Sequence, residues 1–531
     1  MSGNQSNSKN PNSYKEMKAS DLPENYNSID ILERNLSERA DKVALYYEDR
    51  ELTFRQVSDE VNQVGTALKK LDVRSGEVVG ILSLDCPEWV TSFFGTLKIN
   101  AISLGMNTLL KSHDYSFILR DARARVLIVH EEFLDLIDRI RDEVPFLEHV
   151  IVIGKATNAK DLNYAEWIGD ASRALAISST HRDDFATLNY SSGTTGEPKG
   201  ILHAHKDLPL TAELWGKNVL GLKETDCTLA AAKLFFTFGT GGNLIFPWYV
   251  GGSAVLFAGT PRVATNMLEI IDHFKPTIFY NAPTGYALML AVENFTKEYD
   301  LSSLRLCVSA GEALPASIWQ QWKEQTGVDI IDGIGSTELY HIFLSNRPGD
   351  IRPGSSGKAF AGYELKITDE DGKEVEAGGA GNLLVKGESA ALFYLHNYER
   401  SRKTFLGEWV FTGDKYYRDD DGYYWHAGRS DDMLKVGGIW VSPVEVESAL
   451  VSHPSVLECA VIGSEDKAGL IKPKAFVVLK DTEASEELTK ELINHCQDKI
   501  ASYKRPRWIE YVDELPKTAT GKIQRFRLRE I

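Results

Sequence analysis

Several things that would place a chain in a familiar class are scarce or missing here. Only five cysteines occur, Cys86, Cys227, Cys307, Cys459 and Cys496, and none forms a CxxC pair. That excludes a zinc ribbon or a disulfide scaffold and predicts reduced thiols in a cytoplasmic protein. Positive charge is also short: 59 Lys and Arg stand against 76 Asp and Glu, a formal net charge of -17. An acidic chain has no general attraction for nucleic acid, so any anionic substrate must be held by local positive groups. The first twenty residues are polar and rich in Ser, Asn and Lys, with no apolar stretch able to serve as a signal peptide. A disordered tail is predicted over residues 1–27. The one long uncharged run, Leu234 to Pro261, is interrupted by Gly239, Gly241, Gly242, Asn243, Pro247, Gly251 and Gly252. It reads as buried core and pocket wall rather than a membrane span. No solenoid-type repeat is present.

What is present is an alternation of short apolar runs with amphipathic stretches from about residue 28 to 430. Val78-Val79-Gly80-Ile81-Leu82, Val126-Leu127-Ile128-Val129 and Val150-Ile151-Val152-Ile153 are examples. Short β-branched runs between helical patterns predict βαβ units and largely parallel sheets. Past Lys366 the texture becomes strand and turn, with Asp371-Gly372 and Asp421-Gly422 as hairpin-type signals. The latter lies between Tyr416-Tyr417 and Tyr423-Tyr424-Trp425, which read as paired strands. The break at Gly428-Arg429-Ser430-Asp431-Asp432 is the predicted domain boundary, giving an N-terminal body over 28–430 and a small α/β domain over 431–531. In that domain Ser442-Pro443-Val444-Glu445 is a capping box with Pro at the first helical position. Strands near 456–462 and 475–479 and a helix from about Ser485, with Leu488, Leu492, Ile493, Cys496 and Ile500 on one face, complete it.

The sharpest motif is Tyr190-Ser191-Ser192-Gly193-Thr194-Thr195-Gly196-Glu197-Pro198-Lys199-Gly200, after an apolar run that reads as a buried strand. Glycines and small hydroxylated residues let backbone N–H groups converge on phosphate oxygens, and Lys199 supplies a cation. It is not a Walker A loop, because Gly193 lacks Gly-Lys-Ser/Thr five residues on. A flexible Ser/Gly linker would not close on Pro-Lys-Gly.

Ser-Ser-Gly-Thr-Thr-Gly-x-Pro-Lys-Gly resembles the phosphate-loop signature of the adenylate-forming superfamily, which includes acyl-CoA synthetases, peptide-synthetase adenylation domains and luciferases. The resemblance covers the chain from about residue 28 to its end, and further motifs arrive in the family's order. It implies an α/β fold: a large multi-subdomain N-terminal body with parallel-type sheets and a small β-barrel-like section, plus a small mobile α/β C-terminal domain. Ser191, Ser192, Gly193, Thr194, Thr195, Gly196 and Lys199 would then hold phosphates, with Thr195 among the catalytic residues. Ser309-Ala310-Gly311-Glu312-Ala313-Leu314 looks like the adenine-contacting turn, through Gly311, Glu312 and Ala313. Asp332-Gly333-Ile334-Gly335-Ser336-Thr337-Glu338 looks like the second nucleotide segment, with Thr337 on the α-phosphate and Glu338 on Mg²⁺, a hard cation that takes oxygen ligands. Ile334 departs from the pattern, since an aromatic residue often stacks on adenine there. Taken alone this segment is a weak pattern, readable as a strand-to-loop turn. Thr412-Gly413-Asp414 resembles the ribose motif, against the alternative of a turn-stabilising Asp, and Arg429 would contact the nucleotide. Asp431 matches the hinge. Lys435, Gly437 and Gly438 would line the pantetheine tunnel. Pro516-Lys517-Thr518-Ala519-Thr520-Gly521-Lys522-Ile523 resembles the catalytic-lysine loop, with Lys522 serving adenylation; its alternative is an exposed basic tail, since Arg525, Arg527 and Arg529 follow.

The implied activity is an AMP-forming carboxylate:coenzyme A ligase that uses ATP, Mg²⁺ and coenzyme A. Lys233-Leu234-Phe235-Phe236-Thr237-Phe238-Gly239 and the segment from Asp332 to His341 look most like the benzoate-CoA ligase branch. Acetate-specific members usually place Trp at the position of Gly335, so Gly335 suggests room for a ring. Phe236, Phe238, Tyr280, Ile334, Gly335 and His341 are the pocket candidates, though each aromatic could equally be core and His341 a satisfied interior histidine. Trp248 could instead narrow the pocket for a short aliphatic acid, as in an acetyl-CoA type synthetase. An amino-acid adenylation domain fits less well, because residues 234 to 260 contain no acid to meet an ammonium. A catalytically silent nucleotide-binding protein and a homodimer stay open.

Overall fold

The structure is a computed structural model that describes residues 17–191, 198–261, 263–429, 432–436, 439–466, 471–480, 482–497, 499–517 and 523–529. Two large sheets carry the N-terminal body. In the first, Leu162–Asn163, His149–Ile153, Val126–His130, Val78–Leu82 and Ile102–Gly105 run parallel to Phe185–Ser191 (β1), and Lys199–Ala204 (β2) closes the edge antiparallel. The Val78–Leu82 strand is buried along its whole length, as a parallel strand covered on both faces must be. The second sheet has nine strands. Val43–Tyr47, Ser253–Val255, Cys227–Ala230, Ile278–Asn281, Leu306–Ser309 (β3) and Ile330–Gly335 (β4) are parallel. Ile342–Ser345 (β5) returns antiparallel beside β4.

Helices cover these sheets for reasons visible in the residues. Phe54–Lys70 opens with Thr53 accepting from the Gln56 N–H while the Gln56 side chain accepts from the Thr53 N–H, a reciprocal cap. Val57, Val61, Val64 and Leu68, at helical spacing, form its buried face.

The strand-and-turn region forms a five-stranded antiparallel sheet that includes Tyr363–Thr368, Gly381–Gly387, Trp409–Arg418 (β6) and Tyr424–Arg429 (β7). Tyr417 pairs with Trp425 across the turn containing Asp421-Gly422. Residues past 434 gather a core of their own from Leu434, Val441, Val446, Leu450, Val461, Val477 and Leu492. There the helix Pro443–Val451 starts as expected on the Ser442 hydroxyl, which accepts from the Glu445 N–H, but the Glu445 carboxylate turns outward to Lys504.

Two expectations need correction. Residues 17–27 are not tail: Leu22 and Tyr26 are buried, and the Asn27 side chain donates to the Leu97 carbonyl at 2.7 Å. Polar composition hid this, because the segment is anchored by a few side chains rather than by an apolar face. Trp248 does not narrow a pocket; it stacks on Phe94 at 5.3 Å, lies against Phe54 and donates to the Ala44 carbonyl in the core.

Candidate active site

The phosphate-loop motif links two paired antiparallel strands, with Ser191 at the end of β1 opposite Lys199 at the start of β2. Ser192, Gly193, Thr194, Thr195 and Gly196 lie outside the described residues. The mouth of the loop is described. The Ser191 hydroxyl is buried and lacks a hydrogen-bond partner among the described residues. Lys199 Nζ lies 2.5 Å from Glu338 Oε1 and 3.0 Å from Tyr394 Oη, and the Tyr394 hydroxyl donates to the same carboxylate oxygen at 2.8 Å. Burial pushes the Glu338 carboxyl up, yet the Lys199 charge and the two donated hydrogen bonds outweigh it and hold the group at about 2. Burial lowers the Lys199 ammonium even against Glu338. The contact is that of an ion pair, because an ionised carboxylate this close favours the protonated amine.

Glu338 arrives on a turn shaped by glycine. In β4, a Cβ on Gly333 would sit 2.8 Å from the Leu344 carbonyl, and one on Gly335 would sit 2.7 Å from the His341 carbonyl. Gly335 therefore serves the close approach of β4 to β5, and its missing side chain is not simply pocket space. Ser336 and the short 3₁₀ turn Thr337–Leu339 follow. Asp332 is buried, with no partner for Oδ1 among the described residues, and burial drives its carboxyl well above the ordinary range.

The turn after β3 needs its glycine, since Gly311 has φ +96°. Glu312 Oε2 accepts from the Thr284 hydroxyl at 2.8 Å, while Ala313 is half-buried beside it. Burial raises the Glu312 carboxyl, and Thr284 and then Lys517 of the C-terminal segment draw it back down. Lys517 bonds Glu458 at 2.6 Å and pairs with Ile523. The charge of Lys517, at one described end of the lysine loop, is thus felt at Glu312 of the adenine-type turn; Lys522 itself lies outside the described residues, as do Asp431, Gly437 and Gly438. Lys435 falls in the strand Leu434–Val436, which pairs with Ile439–Val441.

Asp414 and Arg429 face each other across β6 and β7, with Arg429 Nη1 3.1 Å from Asp414 Oδ1. Gly413 turns the chain at φ +77°, and a Cβ there would meet Arg429 Nη2 at 2.9 Å. The Asp414 N–H donates to the Thr412 hydroxyl, which in turn donates to the Leu383 carbonyl. The Thr-Gly-Asp segment is held by its own side chains.

Three of the pocket candidates meet in one aromatic cluster. Phe238 lies 5.8 Å from Tyr280 and 5.5 Å from His341, with Ile334 half-buried on the adjoining strand. Phe236 instead packs on Phe235 at 4.4 Å. The cluster also contains two residues that sequence reasoning missed: Trp215 at 5.1 Å and Phe246 at 4.5 Å from His341. Gly241 and Gly242 leave room for it, since a Cβ would fall 2.4 Å from the His341 ring and 2.8 Å from the Tyr280 ring. His341 Nε2 donates to the Phe238 carbonyl at 3.3 Å, so Nδ1 is an acceptor; it is buried and has no partner among the described residues, as is true of the Tyr280 hydroxyl. Burial holds His341 at about 3, a neutral imidazole.

Among the described residues no group of three or more His, Cys, Asp and Glu gathers that could hold a metal ion. Glu338 is a single ionised carboxylate, a donor set that suits a hard cation shared with phosphates.

The AMP-binding enzyme model matches residues 32–395 and the AMP-binding enzyme C-terminal domain model matches residues 445–522. The benzoate–CoA ligase of Thauera aromatica is 48% identical over 96% of both chains. A 4-hydroxybenzoate–CoA/benzoate–CoA ligase of Rhodopseudomonas palustris is 40% identical over 95% of this chain and 94% of its own. A crystal structure of the anthranilate CoA ligase AuaEII in complex with anthranoyl-AMP superposes with TM-score 0.95 at 67% identity, covering 97% of this chain and 98% of that one. A benzoate CoA ligase from Burkholderia xenovorans LB400 superposes with TM-score 0.87 at 41% identity, over 95% of this chain and all of its own.

Proposed function

The chain belongs to the AMP-binding enzyme family, and from that premise we propose that it is an AMP-forming ligase joining a benzoate-like aromatic acid to coenzyme A in the cytoplasm. The observation that carries the reading is the Lys199–Glu338 pair standing at the mouth of the phosphate loop beside an aromatic, neutral cluster around His341.

The first half-reaction forms a bond between a carboxylate oxygen of the acid and the α-phosphorus of ATP, and pyrophosphate leaves. Two anions must be brought together, so the protein's task is positioning and positive charge. Lys199 and Lys522 supply cations, the amides of 192–197 supply donors, and Thr337 faces the α-phosphate. Mg²⁺ held by Glu338 would neutralise phosphate charge. Asp414 accepts from the ribose hydroxyls, and the turn at Gly311, Glu312 and Ala313 flanks the adenine. In the second half the coenzyme A thiol attacks the acyl carbonyl and AMP leaves with the bonding pair. A hinge at Asp431 would exchange the Lys522 loop for Lys435, Gly437 and Gly438, a domain-closure type of gating.

Within the aromatic class, 2-aminobenzoate is the first acid to test. The relative at 67% identity is named for anthranilate, and the acceptor His341 Nδ1, without a partner among the described residues, suits a ring substituent that donates a hydrogen bond. Pyrophosphate release with 2-aminobenzoate, benzoate, cyclohexanecarboxylate and acetate, with and without coenzyme A, tests the assignment. Turnover with the aromatic acids supports it. Turnover with acetate alone would move the chain to a short-chain synthetase, and ATP binding without turnover would favour a silent nucleotide-binding protein.

A further inference from the structure

His203 lies on β2, four residues after Lys199, and is fully buried. Its Nδ1 stands 2.9 Å from Asp207 Oδ2 and its Nε2 2.6 Å from the carbonyl oxygen of Thr337. A backbone carbonyl can only accept a hydrogen bond. Asp207 is buried too, but its carboxyl is held below the ordinary range: burial raises it, while His203 and Lys206 together pull it down further. Its Oδ2 also accepts from the Ala204 N–H, and Lys206 Nζ lies 2.9 Å from its Oδ1. As a carboxylate it can likewise only accept. The Thr337 carbonyl therefore takes its hydrogen bond from His203 Nε2–H, while the Nδ1 edge of the ring lies against the Asp207 carboxylate.

What the arrangement adds is a common frame. Along β2, Lys199 holds the Glu338 carboxylate and His203 holds the carbonyl of the preceding residue, Thr337. The strand leaving the phosphate loop therefore grips two successive residues of the nucleotide segment. Tyr340, at φ +69°, closes the arrangement with its ring edge-on to His203 at 5.2 Å.

We propose that His203, braced by Asp207, is a positioning residue for adenylation: it fixes Thr337 and, through the shared turn, the Glu338 carboxylate in register with the phosphate loop. The inference rests on the ligase reading given above.

His203→Phe keeps the ring and its contact with Tyr340 but leaves the Thr337 carbonyl without its donor; His203→Gln keeps one N–H within reach. Outer-shell partners of this kind are worth about 10–100-fold. In His203→Phe the maximal rate of acyl-adenylate formation is expected to fall by that factor, with the KM for the acid little changed. Thioester formation from preformed acyl-adenylate, measured on the same preparation as a check on folding, should stay near the wild-type rate. His203→Gln should recover much of the loss. Equal loss in both half-reactions, or undiminished adenylation, would overturn the inference. Undiminished adenylation in His203→Phe would leave the ligase reading standing, whereas a wild-type protein inactive on every acid would remove the ligase reading itself.

Discussion

Lys199 Nζ lies 2.5 Å from Glu338 Oε1, joining the strand that leaves the phosphate loop to the turn that ends the second nucleotide segment. Only 13% and 12% of the two side chains are exposed, so the pair works with little screening by water. Glu338→Gln keeps the shape and removes the charge. Loss of a single aimed charge or donor of this sort costs about 10²–10³ in rate. Pyrophosphate release should fall by that factor and need more Mg²⁺ for half its maximum. An unchanged Mg²⁺ requirement would remove Glu338 from the metal.

The facing of Asp414 and Arg429 makes a second prediction. A hydrogen bond to a charged group is worth about 1.5–3 kcal/mol, or roughly 10–100-fold. Asp414→Ala should raise the KM for ATP by about that factor and leave the KM for the acid near its wild-type value. A selective rise in the acid's KM would argue against ribose contact.

Some of the site was legible in the sequence because its geometry is local. The Thr-Gly-Asp segment and Arg429 meet because the Asp421-Gly422 turn folds β6 onto β7, and the spacing alone encodes that. The Ser191-to-Lys199 loop likewise links two paired strands. The aromatic pocket was only half legible. Trp215 and Phe246 reach His341 from segments whose hydrophobicity looks like any core, and Phe236 turned out to pack on its neighbour. Gly335 is ambiguous in the sequence because a glycine needed for strand approach leaves the same trace as one that opens a pocket. Arg525 and Arg529 suggest the alternative of an exposed basic tail, yet Arg525 bonds Glu447 at 2.8 Å and Arg529 bonds Asp432 at 2.6 Å. Ion pairs between distant segments leave no periodic signal.

Two glycines test the pocket. A Cβ at Gly241 would press on the His341 ring, and one at Gly242 on the Tyr280 ring. Gly241→Ala should displace His341 and raise the KM for an aromatic acid about tenfold or more, since a misfit of one methyl group is worth about 1–3 kcal/mol. ATP affinity should be unaffected. Equal weakening of both substrates would mean a general packing defect.

Buried histidines set an acid limit on stability. Burial lowers His205 to about 4 and His341 to about 3, from an ordinary 6.5. The Ser28 N–H donates to His205 Nδ1, which fits a neutral ring. Between roughly 6.5 and 4 the unfolded chain takes up protons that the folded protein refuses. Stability is thus fully present above 6.5 and falls with pH through this window, by about 1.4 kcal/mol per pH unit for each histidine. The thermal midpoint should drop steadily across it, and less steeply in His205→Asn. A flat midpoint would contradict neutral burial.

The central claim is that adenylation uses an ammonium from the C-terminal segment, while thioester formation does not. Lys522→Ala, assayed separately for pyrophosphate release from ATP with an aromatic acid and for thioester formation from preformed acyl-adenylate and coenzyme A, tests it most directly. The account predicts that the first activity is lost and the second largely kept; equal loss of both, or retention of the first, would contradict it.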